Sequence, residues 1–489
     1  MRLNFLTTST SLTVWFEKPE DTDGETTYTI SLNGTTTEVH RTHHTFVSLT
    51  PETEYTVEVL MGEQFLGSGT CSTRSISVRH NVREYGATGD GTTMDTEALQ
   101  AALDACGKNE EVVLPPGIYC TGALRLHSDM SLYLEAGAVL KGTACPKDYL
   151  PRIPSRFEGI EGECYSSLLN LGTLDHNSGP TSGNVLIYGH GTIESGGQEL
   201  ALAVIEQERE RLKTYLEEHQ ELVESCENDN TIPGRVRPRL INLSNTENVR
   251  ISGLTLKNGA CWNVHMIYSD SIVTDHCTFI SEGVWNGDGW DPDSSENCAV
   301  FACRFETGDD AVAIKSGKNP EGNQINRPTR HIHVFDCVST FGHGIAIGSE
   351  ISGGVEDVKI YDCDFETSGF GVLIKGTPKR GGYVRDIEVS DCKLPRIIAH
   401  SVPYNDDGIP APTAPIFERF RFERLTLSGI AHTIEGEVLE VPPIELEGFD
   451  IPGHALKDAV IRDCHITGSI KEPVLRNCEN ITIENLTTE

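Results

Sequence analysis

A short apolar run that ends in cysteine or leucine recurs along the second half of the chain, and it constrains the fold more than any other feature. The copies end at Leu254, Cys277, Cys303, Cys337, Cys363, Cys392, Leu425, Cys464 and Leu486. Successive ends are 22 to 39 residues apart, about the length of one rung of a parallel β-helix with insertions in its turns. We therefore predict an all-β fold, a right-handed parallel β-helix, in which the repeated position forms a buried stack of small apolar side chains.

The first part of the chain has another pattern. Residues 1–76 contain short alternating segments separated by turns, which are typical of a small β-sandwich. The segment 49–59, with Tyr55, resembles the tyrosine-corner strand of fibronectin type III domains, and Trp15 takes the place of their core tryptophan. We predict two domains, a fibronectin type III-like sandwich at 1–76 and a β-helix at 77–489.

One insertion in the repeat is charged and rich in Leu and Glu. Residues 198–228 carry apolar side chains near helical spacing, which predicts a helical excursion from the β-helix. Such an excursion can form a wall of a substrate cleft. It can equally be a surface helix that contacts another subunit, so a homo-oligomer is possible.

Charge and cysteine content limit the partners and the compartment. The formal net charge of −34 disfavours nucleic acid and anionic membranes as partners, and an anionic substrate would need a local cluster of Lys or Arg. The 15 cysteines are odd in number and spread through a long chain, which favours free thiols in a reducing compartment. The sequence has no apolar run typical of a signal peptide or a membrane span. We expect a cytoplasmic protein.

Acidic residues fall in the same part of successive rungs. Asp288 lies 11 residues after Cys277, and Asp309 and Asp310 lie 6 and 7 residues after Cys303. His343 and Lys375 occupy similar places 6 and 12 residues after Cys337 and Cys363. Because neighbouring rungs are about 4.8 Å apart, these side chains can converge on one patch. Carboxylates beside a cation suit glycoside hydrolysis, with one acid for the leaving oxygen and one base for water.

The motifs around these residues resemble those of glycoside hydrolase family 28, the polygalacturonases. They are Asn286-Gly-Asp288, Gly308-Asp-Asp310, Gly342-His-Gly344 and Ile374-Lys375, in the order of the family. The resemblance runs from about residue 78 to the C-terminus and implies the pectin-lyase-like β-helix. It is closest to the bacterial exo-polygalacturonases, some of which carry an N-terminal fibronectin-like domain.

The resemblance implies a role for each of these residues. Asp309 is the expected general acid, while Asp288 and Asp310 hold and deprotonate the attacking water. His343 supports the protonation state of the acid. The candidates for substrate binding are Lys375, Asn286, Lys315 and Arg380. The family inverts the anomeric configuration and uses no metal or other cofactor, so the implied activity is exo-acting, inverting hydrolysis of galacturonate-containing (pectic) oligosaccharides.

Two positions depart from the family's motifs. Gly287 replaces a threonine whose role is mostly conformational. Leu373 replaces the arginine of the Arg-Ile-Lys motif, which removes a bidentate carboxylate clamp that Lys375 alone does not reproduce. Either a nearby base takes over, or the sugar bound there is neutral or modified. The candidates to replace the arginine are Lys379, Arg380 and Arg385. The candidates to line an altered pocket are His400, Tyr404, Asn405 and Asp406.

Two other functions remain open at this point. A calcium-dependent pectate lyase can use the same fold, with Asp288, Asp291 and Asp293 as oxygen ligands. A noncatalytic carbohydrate-binding or scaffold protein would use the fibronectin-like domain for docking. The lyase would yield an unsaturated product and respond to chelators, and the binding protein would leave the glycan unaltered.

Overall fold

The structure is a computed structural model that describes residues 1–20, 22–75, 78–404 and 408–489. The chain divides into two compact units, Met1–Arg79 and His80–Glu489. None of the helices in the described ranges is long and apolar enough to cross a membrane.

The first unit is a sandwich of two antiparallel sheets, as the sequence predicted. One sheet consists of Asn4–Thr7, Leu12–Trp15 and His43–Phe46, and the other of Thr35–Val39, Tyr28–Leu32, Glu54–Met61 and Gln64–Ser72. Alternate residues point inwards, so that Val14, Ile30 and Val57 are fully buried. The hydroxyl group of Tyr55 accepts a hydrogen bond of 2.9 Å from the backbone N–H of Thr50, which is the contact expected of a tyrosine corner.

The second unit is a parallel β-helix built from three long sheets, which confirms the predicted fold class. The strands of the first sheet are Arg79–Asn81, Glu110–Leu114, Met130–Leu134, Ser182–Gly189, Thr246–Ser252, Asp270–Asp275, Glu296–Phe301, Thr329–Phe335, Val355–Tyr361, Tyr383–Ser390, Ile416–Glu423, Leu456–Lys457, Val460–Arg462, Cys478–Glu479 and Thr482–Glu484. From Glu110–Leu114 to Ile416–Glu423 each rung contributes one strand to this sheet, which pairs in parallel with the strand of the next rung, and each of the last two rungs contributes two short strands.

The second and third sheets complete each rung. The second sheet consists of Asp90–Met94, Gly117–Thr121, Ala138–Gly142, Thr192–Glu194, Thr255–Lys257, Thr278–Ile280, Arg304–Glu306 and Val338–Phe341, with a further group at Lys393–Leu394, Thr426–Leu427, His465–Ile466 and Thr487–Thr488. The third sheet consists of Leu124–Arg125, Leu169–Gly172, Ile241–Ser244, Val264–Ile267, Trp290–Asp293, Val312–Ile314, Gly344–Ile347, Gly371–Gly376, Ile397–Ser401, Ile444–Glu447 and Val474–Arg476.

The repeated Cys or Leu marks the corner between the first and second sheets. The side chains of Cys277, Cys303, Cys337, Cys363 and Cys392 are at most 3% exposed, and all 15 cysteines are free thiols. The residue before each ladder position has a positive φ, for example 54° at His276 and 53° at Asp391. A single left-handed residue therefore turns the chain at this corner.

Helices and hairpins stand outside the three sheets. The helices are α1 (Thr96–Ala105), α2 (Gly197–Arg211), α3 (Lys213–Glu218), α4 (Gln220–Ser225), α5 (Thr231–Gly234) and α6 (Glu321–Ile325), with 3-10 turns at Val82–Tyr85 and Pro146–Tyr149. The hairpins are Ile153–Phe157 with Ile160–Cys164, and Ile430–His432 with Val438–Glu440.

Helices α2 to α5 form an insertion between Thr192–Glu194 and Ile241–Ser244. A buried carboxylate fixes the first of these helices. Glu208 on α2 bonds to Arg152 and to Arg211 (2.8 Å), and the hydroxyl of Tyr165 lies 3.4 Å away. We call residues 197–234 the helical insertion.

Candidate active site

Four of the five candidate residues lie where rungs pass from the second sheet into the third, and the fifth, Lys375, lies near the end of a third-sheet strand. Their positions relative to the strands of the third sheet are as follows: Asp288 precedes Trp290–Asp293, Asp309 and Asp310 precede Val312–Ile314, His343 precedes Gly344–Ile347, and Lys375 lies in Gly371–Gly376. These four strands are consecutive neighbours in the sheet. Residues that are far apart along the chain are therefore close together in four successive rungs.

All five side chains line one cleft with a volume of about 990 Å³. Residues of the helical insertion line the same cleft, among them Gln198, Ser225 and Glu227. Aromatic side chains in its wall, Trp262, Trp285, Phe341 and Phe370, offer apolar faces of the kind that sugar rings pack against. His400 and Tyr404 also line it, whereas Asn405 and Asp406 are outside the described residues.

His343 and Asp309 form a close ion pair at the cleft. The Nδ1 atom of His343 lies 2.9 Å from Oδ1 of Asp309 and 3.6 Å from Oδ1 of Asp310. Burial opposes the charged imidazolium, but these carboxylates outweigh it and raise the pKa of His343 to about 10. Burial likewise opposes ionisation of Asp309, yet His343, Lys375 and Lys315 lower its pKa to about 2. In the substrate-free cleft the proton of this pair is therefore on His343.

Lys315 is buried between two carboxylates. Its Nζ atom lies 3.1 Å from Oδ2 of Asp288 and 2.8 Å from Oδ2 of Asp291, and 3.7 Å from the centre of the Trp262 ring. Burial is the largest influence on both carboxyl groups and exceeds the effect of Lys315. It raises the pKa of Asp288 well above the usual range and that of Asp291 to about 7. Lys315 lines the cleft, but its ammonium group is already bonded to Asp288 and Asp291.

Lys375 is a second cation next to the catalytic carboxylates. Its Nζ atom lies 3.3 Å from Oδ2 of Asp310. Burial disfavours its charge, but Asp310 and Asp309 keep its pKa above the usual value. Leu373, two residues earlier on the same strand, is 4% exposed and lines the cleft with an apolar side chain. The family's arginine position is therefore inside the cleft and uncharged.

Asn286 connects the catalytic candidates to a buried arginine. Its amide nitrogen lies 3.4 Å from Oδ2 of Asp309, and its amide oxygen accepts a hydrogen bond of 2.6 Å from Arg237. The guanidinium of Arg237 stacks on Trp285, with its carbon 4.1 Å from the ring centre. Arg237 thus fixes the amide orientation in which Asn286 donates to Asp309.

Arg380, Arg385 and Lys379, the candidates to replace the missing arginine, lie in three different environments. Arg380 lines the cleft but is 2% exposed, and its guanidinium donates to the backbone oxygen of Ser349 (2.9 Å) and to Oδ1 of Asn319 (2.9 Å). Arg385 is on the first sheet, where it is paired with Glu356. Lys379 is not among the residues that line the cleft. Arg380 therefore supports the loop after Gly344–Ile347.

The aspartates considered as calcium ligands are neutralised by cationic side chains. Lys315 occupies the space between Asp288 and Asp291, and Nη1 of Arg156 lies 2.9 Å from Oδ1 of Asp293. Binding Ca²⁺ here would require displacing two buried cations. Asp309, Asp310 and His343 also place potential ligand atoms within 4.8 Å of one another, but Lys375 and the protonated His343 already supply positive charge to these carboxylates.

The sequence analysis did not identify Arg237 or Trp262 as parts of the site. A signal for Arg237 was present, because Arg235-Val-Arg-Pro-Arg239 is a basic run in a strongly acidic chain. Trp262 gave no comparable signal, since a tryptophan before a buried strand is typical of a core. Asp291 and Asp293 belong to one acidic motif, yet they are bonded to different cations, Lys315 and Arg156.

The fold and the site together define a β-helix protein with a cleft of clustered carboxylates and lysines. Residues 179–487 match the glycosyl hydrolases family 28, residues 79–142 match a rhamnogalacturonase A/epimerase, pectate lyase-like region, and residues 2–71 match the fibronectin type III domain. The chain belongs to glycosyl hydrolase family 28.

Individual relatives agree with this assignment. An exo-poly-alpha-D-galacturonosidase of Dickeya chrysanthemi is 27% identical over 78% of this chain, and a probable polygalacturonase of Vitis vinifera is 32% identical over 63%. The alignments span 66% and 58% of the lengths of these two relatives. The structure of a family 28 exopolygalacturonase from Yersinia enterocolitica has a TM-score of 0.84 at 22% identity, over 99% of this chain and 96% of that one, which supports the fold.

Proposed function

We propose that the protein is an exo-acting, inverting hydrolase of galacturonate-containing oligosaccharides. The observation that carries the proposal is the presence of Asp288, Asp309 and Asp310 in one cleft, with the ammonium group of Lys375 beside them. Hydrolysis needs an acid and a base, and a uronate needs a cation. The name of the Dickeya chrysanthemi relative supports the substrate class.

In the proposed reaction Asp309 donates its proton to the glycosidic oxygen while the bond from that oxygen to the anomeric carbon breaks. A water held by Asp288 and Asp310 forms the new bond to the anomeric carbon, and one of these carboxylates takes its proton. Attack on the face opposite to the leaving group inverts the configuration. Solvent then restores the proton to the His343–Asp309 pair.

The protonation of Asp309 depends on its neighbours. His343 holds the proton of the pair, and its Nδ1 atom lies 2.9 Å from Oδ1 of Asp309. Lys375 is one of the cations that lower the pKa of Asp309. A uronate carboxylate paired with Lys375 would offset that positive charge and so raise the pKa of Asp309. In this proposal the proton moves from His343 to the acid because the uronate, next to Lys375, raises the pKa of Asp309 more than that of His343.

The helical insertion supports the exo mode. Its residues Gln198, Ser225, Glu227 and Thr231 line the cleft, and we infer that this wall closes one end of the groove, so that only a chain end can enter. Simultaneous assays of viscosity and reducing ends test this point. Exo action predicts that reducing ends accumulate while the viscosity of polygalacturonate changes little.

A second candidate follows from Leu373. An apolar side chain at the clamp position suits a neutral or modified sugar at that subsite, on the same catalytic residues. We also propose a cytoplasmic location, supported by the 15 free thiols, which would fit short imported oligosaccharides. Cell fractionation tests the location.

Product analysis tests the function directly. The protein is incubated with oligogalacturonides and with neutral and rhamnose-containing pectic oligosaccharides, with and without a chelator. Release of saturated galacturonate supports the proposal if the anomer formed first has the inverted configuration and if a chelator does not change the rate of release. Release from another oligosaccharide alone supports the second candidate, and an unsaturated, chelator-sensitive product would contradict both.

A further inference from the structure

The lysine and arginine side chains of the cleft lining are away from its exposed edge, whereas its carboxylates are found both at that edge and in the floor, where Asp288 and Asp310 are buried. The cationic side chains Lys315, Lys318 and Arg380 are buried, and Lys375 is half-buried. The exposed charged residues of the lining are Glu227, Glu282 and Glu435. Within the described part of the lining, every fully exposed charge is therefore negative.

These three glutamates come from separate segments that surround the cleft. Glu227 follows α4 in the helical insertion, Glu282 follows the strand Thr278–Ile280, and Glu435 lies in the hairpin between Ile430–His432 and Val438–Glu440. None of the three has an ion-pair partner among the described residues, whereas Glu158 in the same lining is paired with Arg235 at 2.8 Å. We call Glu227, Glu282 and Glu435 the acidic mouth.

The floor of the cleft has the opposite preference. Lys375 is the cation available to an anionic sugar. The buried oxygens Oδ1 of Asp288 and Oδ1 of Asp310 have no hydrogen-bond partner within the described ranges, and each would gain one by accepting from a sugar hydroxyl or from the attacking water. The floor can thus bind the one uronate next to the bond that is cleaved. The acidic mouth repels the further uronates of a longer chain, which extend out of the cleft.

We propose that the acidic mouth restricts the enzyme to short galacturonides and discriminates against long polyanionic chains. This inference rests on the proposed function and specifies its substrate class. Like charges at a water-exposed rim repel a polyanion over about a Debye length, which is ~30 Å at 0.01 M salt and ~3 Å at 1 M. The net charge of −34 adds a weaker and more distant repulsion.

The test compares trigalacturonate with polygalacturonate, with kcat/KM for the polymer expressed per chain end. At low salt we expect wild-type enzyme to prefer trigalacturonate by about tenfold or more, because a polymer brings several charges to the mouth. Raising the salt concentration should reduce this preference. Salt-independent or polymer-favouring kinetics would overturn the inference.

Matched triple variants separate the mouth from the global charge. Glu227→Gln/Glu282→Gln/Glu435→Gln should raise the ratio of polymer to trimer kcat/KM by about fivefold at low salt. Glu97→Gln/Glu247→Gln/Glu472→Gln changes the net charge equally at exposed positions that do not line the cleft, and should leave the ratio unchanged. Equal effects of the two variants would overturn the inference.

The proposed function and this inference fail in different ways. Absence of hydrolysis with trigalacturonate as well as with the polymer would overturn the proposed function. Hydrolysis of trigalacturonate together with undiminished use of the polymer would overturn the inference alone.

Discussion

The Nδ1 atom of His343 lies 2.9 Å from Oδ1 of Asp309, so a single proton serves both side chains. Each member of the pair changes the pKa of the other. His343 is a stronger base because Asp309 is ionised, and Asp309 ionises more readily because His343 is charged. Replacing either member should therefore change a property of the other. The first two predictions follow from this pair.

The stability of the protein should depend on pH through His343. Its pKa is about 10 in the folded protein against an ordinary value of 6.5, so the stabilisation is complete below pH 6.5 and is lost as the pH rises through 10. Between these values the free energy of unfolding should fall by up to ~1.4 kcal/mol per pH unit. Denaturant unfolding at several pH values measures this slope.

His343→Asn should flatten that alkaline slope. A matched control is His331→Asn, which removes an exposed histidine paired with Asp357 and should leave most of the slope in place. If His343→Asn retained the wild-type slope, the pair would not be the source of the pH dependence. On the acid side the pKa of Asp309 is about 2 instead of 3.8, so its contribution is lost as the pH falls through 2.

Asp309→Asn should abolish most turnover and leave the fold intact. Loss of a general acid costs about 10²- to 10⁴-fold in rate, and the loss should be smaller for an aryl galacturonide whose leaving group needs no proton. Steady-state kinetics on both substrates, with circular dichroism as a check on folding, make the measurement. Equal losses on the two substrates would remove Asp309 from the role of acid.

Asp291→Asn should shift the acid limb of the kcat/KM profile to lower pH. Burial raises the pKa of Asp288, Lys315 lowers it, and the negative charge of Asp291 raises it again. Without that charge Lys315 acts on Asp288 alone, and we expect a shift of about one pH unit. The two carboxyl groups titrate together, so the profile reports the pair.

Lys315→Met should shift the titration of Asp288 and Asp291 in the opposite direction. It removes the cation that lies within 3.1 Å of both carboxylates, so the acid limb should move to higher pH. Shifts in the same direction for Asp291→Asn and Lys315→Met would contradict the arrangement described here.

Leu373→Arg should strengthen the binding of a uronate substrate. The side chain lies in the cleft lining two residues from Lys375, and a guanidinium group can bind a carboxylate through two hydrogen bonds. We expect KM for galacturonides to fall about tenfold with a smaller effect on kcat. Leu373→Met is the control for altered packing, and a rise in KM with Leu373→Arg but not with Leu373→Met would argue that the subsite excludes uronates.

Glu208→Gln should loosen the helical insertion. The buried carboxylate bonds to Arg152 and Arg211, and its loss weakens two charged hydrogen bonds to arginines that remain partly exposed, which costs about 1–3 kcal/mol. Hydrogen exchange in residues 197–234 should accelerate while exchange in the three sheets stays the same. A global loss of protection would instead make Glu208 part of the core of the whole β-helix.

The β-helix could be predicted from the sequence because the repeated Cys or Leu position is periodic. The stack from Cys277 to Cys464 fixes the register of successive rungs, and the observed pairing of Val300 with Val334 and of Ile387 with Phe420 agrees with the alignment of the repeat. The fibronectin-like unit was predictable for a similar reason, since Tyr55 makes the hydrogen bond of a tyrosine corner. The core position predicted for Trp15 was wrong, because its neighbours Val14 and Phe16 belong to the buried cluster of this unit and alternate residues of a strand point to opposite faces.

The partners of individual side chains were not predictable in the same way. Spacing brings Asp288, Asp291 and Lys315 to neighbouring rungs, but the choice of which carboxylates share Lys315 depends on side-chain direction and burial. The same limit applies to Arg380, which the sequence placed in substrate binding and whose guanidinium bonds to Ser349 and Asn319. Contacts across the helical insertion depend on its folded path, which no local pattern specifies.

The single left-handed residue at the corner between the first and second sheets has a consequence for evolution and engineering. That corner leaves no room for extra residues, so the length differences among rungs, 22 to 39 residues, have accumulated elsewhere in each rung. The cleft is built on those variable connections. A catalytic loop can therefore be lengthened, shortened or exchanged between relatives while the corner keeps every later rung in phase.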